Sequence, residues 1–185
     1  MLQLPPLPTW DSLHPLIIHF PIALLLLSPL FVLISAVLTP VKGKPYMIAG
    51  LMILLLGTGT LFIAGSTGHA AADLAERGGA VDSVLETHED LAGETQIVFA
   101  VLSAILLGMY VIPKVLRREE NRLFSTFLPL AFLALYTVGI LFVVNTAHAG
   151  GRLVHEFGVH ALVPLTSSGS IPSGNQESLS KSTEH

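Results

Sequence analysis

Four apolar runs, each about as long as one membrane crossing needs, dominate the chain at residues 15–38, 46–67, 92–113 and 123–146. A hydrocarbon core about 30 Å thick calls for about 20 such residues per helix. No backbone polar group can stay unpaired inside it, so only helices and closed barrels cross. At 51% hydrophobic and 12% charged over 185 residues, the chain lies outside the range of ordinary soluble domains. The sequence therefore predicts an all-α fold: one four-transmembrane-helix bundle over residues 1–164, followed by a Ser-rich polar tail over 165–185 that lacks apolar periodicity and is expected to be disordered. The opening MLQLPPLPTWDS has no basic stretch, so a cleaved signal peptide is not expected. Asp11 or Ser12 can cap the first helix, and Trp10 stands where an interfacial aromatic belt is expected.

Charge sets an orientation. Six of the nine basic residues, Lys42, Lys44, Lys114, Arg117, Arg118 and Arg122, fall in the two short connections between spans one and two and between spans three and four. Lys and Arg in short loops mark the cytoplasmic side, so both termini and the acidic loop after span two are expected on the outer, periplasmic side of a bacterial inner membrane. Helix three is expected to begin near Ser83 and project beyond the bilayer. The Gly150–Gly151 pair is expected to break the chain after span four, before a short surface helix. Pro21 and Pro29 should bend span one. Gly50, Gly57 and Ala64, and again Ala100, Ala104 and Gly108, form small-residue ladders that permit close helix approach.

All eight histidines share the outer side: His14, His19, His69, His88, His148, His155, His160 and His185. Ionisable groups at membrane depth are expensive unless paired or ligated, which makes them candidates for function. His19 lies within the apolar run LHPLIIHFPIALLLL and reads as facing inward. His14, about 140° round the helix from it, reads as interfacial. His88 opens span three with Glu89 beside it, His148 closes span four and His69 closes span two. Four helices thus each offer one histidine at a similar height, the way bundles hold haem or metal in their cores. A chain without cysteine cannot attach haem through CxxCH or build thiolate sites, which leaves His, Asp and Glu as the good ligands. HEFGVH is not the HExxH of a zinc protease, and GTGT in span two is no phosphate loop. No basic stripe points to nucleic acid.

The segments LHPLIIHFPIALLLL, TGHAAADLA, LETHEDLAGET and AHAGGRLVHEFGV resemble one family of bacterial predicted membrane proteins, known as domain of unknown function twenty-two thirty-one, over roughly residues 10–164. His14, Pro15, His19, Phe20 and Pro21 match its opening motif, His88 and Glu89 its HE motif, and Gly150, Gly151, Leu153 and Val154 its closing one. The chain departs from the family where Phe157 stands in place of a histidine, while His155 and His160 are additional. The resemblance implies a four-helix membrane domain, fused in some members to Rieske iron–sulfur or c-type cytochrome domains, and membrane redox work with b-type haem.

The leading expectation is a membrane-embedded, b-type cytochrome-like electron-transfer protein or subunit, not an enzyme by itself. Its haem would lie near the periplasmic face on His19 and His88, with His148 and His69 as substitutes or as ligands of a second haem. Glu89, Glu94 and Asn145 are candidates to orient an imidazole through its other N–H. Quinone, a Rieske protein or a c-type cytochrome would be the partners, in a homo- or hetero-oligomer. Two alternatives stand beside it. One is a zinc or copper protein for transport or sensing, with His19, His88, Glu89 and His148 as ligands; the other is a cofactor-free structural or assembly subunit of a respiratory complex.

Overall fold

The computed structural model describes residues 10, 13–75, 78–118 and 121–159. The expected caps at Asp11 and Ser12, the histidines at 160 and 185 and the polar tail lie outside the described residues. The described chain is helical: α1 (His14–Ile17), α2 (His19–Val37), α3 (Pro40–Ala72), α4 (Ala80–Val115) and α5 (Leu128–His155), with a π-helical turn at Leu123–Phe127 leading into α5. Four stretches are long and apolar enough to cross a membrane: His14–Val37, Pro40–Ala72, Ala80–Val115 and Leu123–His155. The helices run up and down in a ring in which α2 packs on α3, α3 on α4, α4 on α5 and α5 on α2.

The outer surface carries Leu26, Leu33, Phe62, Ile97 and Leu141, all exposed. Apolar cover of that extent is unsuited to water and suited to lipid. Between helices surrounded by lipid the hydrophobic effect adds little, so close packing and interhelical hydrogen bonds do the joining. Three glycines make the contacts. A Cβ built on Gly50 would lie 3.1 Å from Val32, one on Gly57 would lie 2.9 Å from Leu25, and one on Gly139 would lie 2.8 Å from Leu102. The ladder of Gly50, Gly57 and Ala64 thus seats α2 on α3 as its spacing suggested. The ladder of Ala100, Ala104 and Gly108 does not meet a helix, because Ala100 and Ala104 are exposed.

Polar groups bridge the same seams. Ser28 Oγ donates to the Gly50 carbonyl at 3.0 Å, and Thr58 and Ser103 share a buried hydrogen bond of 2.9 Å. Pro29 has no N–H to give the carbonyl four residues back, at Leu25, and the Tyr136 hydroxyl donates to that carbonyl at 2.8 Å. α2 accordingly runs unbroken through Pro29. Pro21 deprives Ile17 in the same way, and there the helix does break, at Ile18 between α1 and α2. Ser103→Ala should lower stability by about 0.6 kcal/mol, the mean for such bonds between membrane helices, read as an earlier midpoint in detergent unfolding.

Two sequence expectations need correction. Gly150 and Gly151 do not break the chain; α5 continues through them to His155. Gly150 serves instead as a contact point for a side chain from α4. The turn comes at Gly158, whose φ of +63° suits glycine. It brings Phe157 and Val159 onto a small apolar cluster of Ala72, Val84, Leu85 and Leu153. That cluster closes the end of the bundle where the histidines gather.

Candidate functional site

Two helical hairpins, α1–α3 and α4–α5, each build the same local unit. In the first, His14 Nδ1 lies 3.0 Å from the carbonyl of Ala64 and 3.2 Å from Thr67 Oγ1. In the second, His88 Nδ1 lies 3.0 Å from the carbonyl of Thr146. Each ring rests on a glycine one helical turn beyond the carbonyl it binds. A Cβ built on Gly68 would lie 3.0 Å from Cε1 of His14, and one built on Gly150 would lie 3.0 Å from Cε1 of His88. The likeness continues along the hairpins. Eleven residues before these glycines stand Gly57 and Gly139, and they receive Leu25 and Phe99, each eleven residues after its histidine.

The chemistry of the rings follows from their partners. A carbonyl oxygen can only accept, so Nδ1 carries the proton in both histidines. In the neutral imidazole that leaves Nε2 with its lone pair available to a Lewis acid. The carbonyl contact also fixes the ring plane, as behind most metal-binding histidines. Thr95 and Thr146 stiffen the second unit: their hydroxyls lie 2.9 Å apart, so one donates to the other while the second donates to a carbonyl of its own helix, Leu91 for Thr95 or Phe142 for Thr146.

Both imidazoles line one cavity of about 340 Å³. Its walls are mostly apolar, with Pro21, Leu25, Leu61, Val143 and Leu153 among them. The few polar side chains include Gln96, packed on Gly65, and Glu89. Cofactor pockets fall in a range of about 300–1,000 Å³ with such a mix of apolar lining and few polar groups. Arg152 donates through Nε to Glu156 Oε2 at 2.9 Å nearby on the α5 end.

The sequence-predicted residues divide as follows. His88 and Glu89 face the cavity. His69 borders it, but its Nδ1 is held by the Gly65 carbonyl of its own helix at 3.0 Å and its side chain is exposed. His19 does not face inward as its sequence setting suggested; it is exposed and absent from the cavity wall. The inward histidine of the first span is His14. The buried stripe of α2 runs through Pro21, Leu25, Ser28, Val32 and Ser35, and carried back by the same three- and four-residue steps it meets Ile18 and His14, not His19. His148 is also exposed and off the cavity, since the inward face of α5 there belongs to Thr146, Ala149, Gly150 and Leu153. Glu94 and His155 are exposed, as is Asn145, which donates to the Leu141 carbonyl of its own helix. The four proposed metal ligands, His19, His88, Glu89 and His148, therefore do not converge. Among the described residues no group of three or more His, Asp or Glu side chains does.

A ring of four membrane-length helices with a chamber at one end, faced by one imidazole from each half, defines an all-α polytopic membrane protein with a cofactor-sized site. The chain belongs to the DUF2231 family of predicted membrane proteins, whose model matches residues 11–162. No curated protein and no solved structure matches it.

Proposed function

We propose that the protein is a membrane-embedded electron carrier of the b-type cytochrome kind, in which His14 and His88 hold a haem between the two hairpins. One observation carries this reading: two imidazoles from different hairpins, both with Nδ1 committed to a carbonyl, share one mostly apolar chamber in which, among the described residues, no third His, Asp or Glu converges with them. A bare zinc ion needs three or four convergent side chains. A haem would ask the protein for no more than two ligands, and His14 and His88 would supply them. Bound there, it would supply reversible one-electron transfer at iron.

The protein's own residues would do the rest. The Ala64 and Thr146 carbonyls hold the two rings in the tautomer that ligates through Nε2. Gly68 and Gly150 let the rings approach α3 and α5 closely. Leu25, Leu61, Val143 and Leu153 keep water from the chamber, and a dry site favours the less charged state of a bound metal centre. By the distribution of Lys and Arg, the chamber would open toward the periplasmic side, with both termini there. Quinone, a Rieske protein or a c-type cytochrome would be the electron partner.

The test is spectroscopic. Purified in mild detergent after expression with ample haem precursor, the protein should show a Soret band and sharp reduced α and β bands, with stoichiometric haem by extraction. A colourless protein, or one with stoichiometric zinc or copper instead, overturns the reading. Gly150→Val should press the His88 ring off its seat and weaken haem retention by about 10-fold, the lower end of what disturbing the support of a metal-bound histidine costs. Gly59→Ala, where nothing lies within 4 Å of the new Cβ, should leave retention unchanged in the same titration.

A further inference from the structure

The end of the bundle remote from the histidines holds a second cavity, of about 730 Å³. Lys44, Arg117 and Arg118 line it together with Tyr110 and Asn121, and no acidic side chain among the described residues does. The Lys114 ammonium stands 5.9 Å from the centre of the Tyr110 ring.

Three local irregularities converge on this cavity. Arg117 has φ +54°, the one positive value at a non-glycine among the described residues, a conformation that surrounding structure must impose. The π-helical turn Leu123–Phe127 brings Phe124 and Ser125 to the wall, and π turns are rare outside functional positions. Ser125 Oγ is buried with no hydrogen-bond partner, alone in this among the described side chains. A buried hydroxyl without a protein partner calls for one from elsewhere.

An apolar groove of about 530 Å³ leads away from the same place along α4 and the start of α5. It shares Met109 and Phe124 with the basic cavity and continues past Gly108, Ile105 and Val101. Exposed Ala104 and half-buried Gly108 of the small-residue ladder line it. Cations at one end and a lipid-facing hydrocarbon trough at the other fit one molecule with a phosphate and an acyl chain. Basic pockets between transmembrane helices are known binders of acidic headgroups.

We propose that this end of the bundle is a binding site for an anionic phospholipid, its phosphate held by Arg117 and Arg118 and an acyl chain laid in the groove beside Gly108. A free phosphate would share the first set of contacts and have no use for the second, and the groove favours the lipid. The site stands apart from the histidine chamber and does not depend on haem being there.

The full chain, delipidated in neutral detergent, is titrated with phosphatidylglycerol, with phosphatidylcholine of the same acyl chains, and with inorganic phosphate, binding being read by native mass spectrometry and thermal shift. Phosphatidylglycerol should bind at least about 10-fold tighter than phosphatidylcholine. The double substitution Arg117→Gln, Arg118→Gln should weaken phosphatidylglycerol about 25-fold, about five-fold per surface cation, and weaken zwitterionic phosphatidylcholine by less. Both arginines are exposed, so helix content by circular dichroism should stay at the wild-type value. Gly108→Phe, whose Cβ would meet only Ile112 of its own helix at 3.8 Å, should block the groove and weaken phosphatidylglycerol while leaving inorganic phosphate unchanged. Equal affinity for the two lipids overturns the proposal, as does a double variant that binds like wild type. Phosphate matching phosphatidylglycerol, with Gly108→Phe silent, overturns it in favour of a free-anion site.

Discussion

If the proposed haem is bound, replacing His14 or His88 with alanine should strip the purified protein of the haem bands, whereas His19→Ala and His148→Ala should leave them at wild-type strength. The first pair supplies the two imidazoles that face the shared chamber; the second pair is exposed on the outside of the bundle. Losing only the hydrogen-bond partner behind a metal-bound histidine costs about 10–100-fold in affinity, and removing the imidazole itself should cost more. Retention after detergent exchange, measured as haem per chain, is the readout. Far-UV circular dichroism checks the fold, which should survive because both rings border the chamber and neither belongs to the main apolar core. Loss of the bands in His19→Ala with retention in His14→Ala would restore the sequence-based pairing and sink the present one.

Phe99→Ala should be the most damaging single truncation in the helix core, lowering stability by about 3–5 kcal/mol. Phe99 is 0% exposed, meets the Tyr136 ring edge-on at 5.5 Å between centroids, and presses on Gly139 where α4 and α5 approach. In lipid the water-transfer share of that cost falls, but packing is the main force between membrane helices, so the cavity share stays. Equilibrium unfolding in mixed micelles gives the number. Tyr136→Phe, which keeps the ring and removes only the donor to the carbonyl freed by Pro29, should cost about 1 kcal/mol in the same assay. A Phe99→Ala cost no larger than that of Tyr136→Phe would show that the ring stack is not what holds α4 to α5.

Which histidine faces inward was partly legible in span one. His14, Pro21, Ser28 and Ser35 recur every seven residues; the last three are buried in the structure and His14 borders the cavity. Between helices in lipid, small and polar residues mark the interior face. Reading the heptad of such residues, rather than the apolar flanks of His19, selects His14. The flanks misled because Ile18, Phe20 and their neighbours would be apolar on either side: lipid and protein interior ask for the same side chains. His88 was easier, since Val84, Leu85, Leu91 and Thr95 already traced one helical stripe through it.

The number of spans, their approximate limits and the gathering of basic residues at one end and histidines at the other were decided by the sequence itself, because bilayer thickness and the need to pair every backbone group leave a long apolar segment one solution. The correspondence of the two hairpins was not. HPLI and HEDL share little beyond a histidine, and the carbonyls that receive the two rings, at Ala64 and Thr146, carry no side-chain signature. Tertiary structure alone decided that Gly68 and Gly150 lie under imidazoles from other helices, and that Gly150 continues a helix instead of ending one. A backbone carbonyl and a missing Cβ are contributed by position, and position across helices is settled only when the bundle closes.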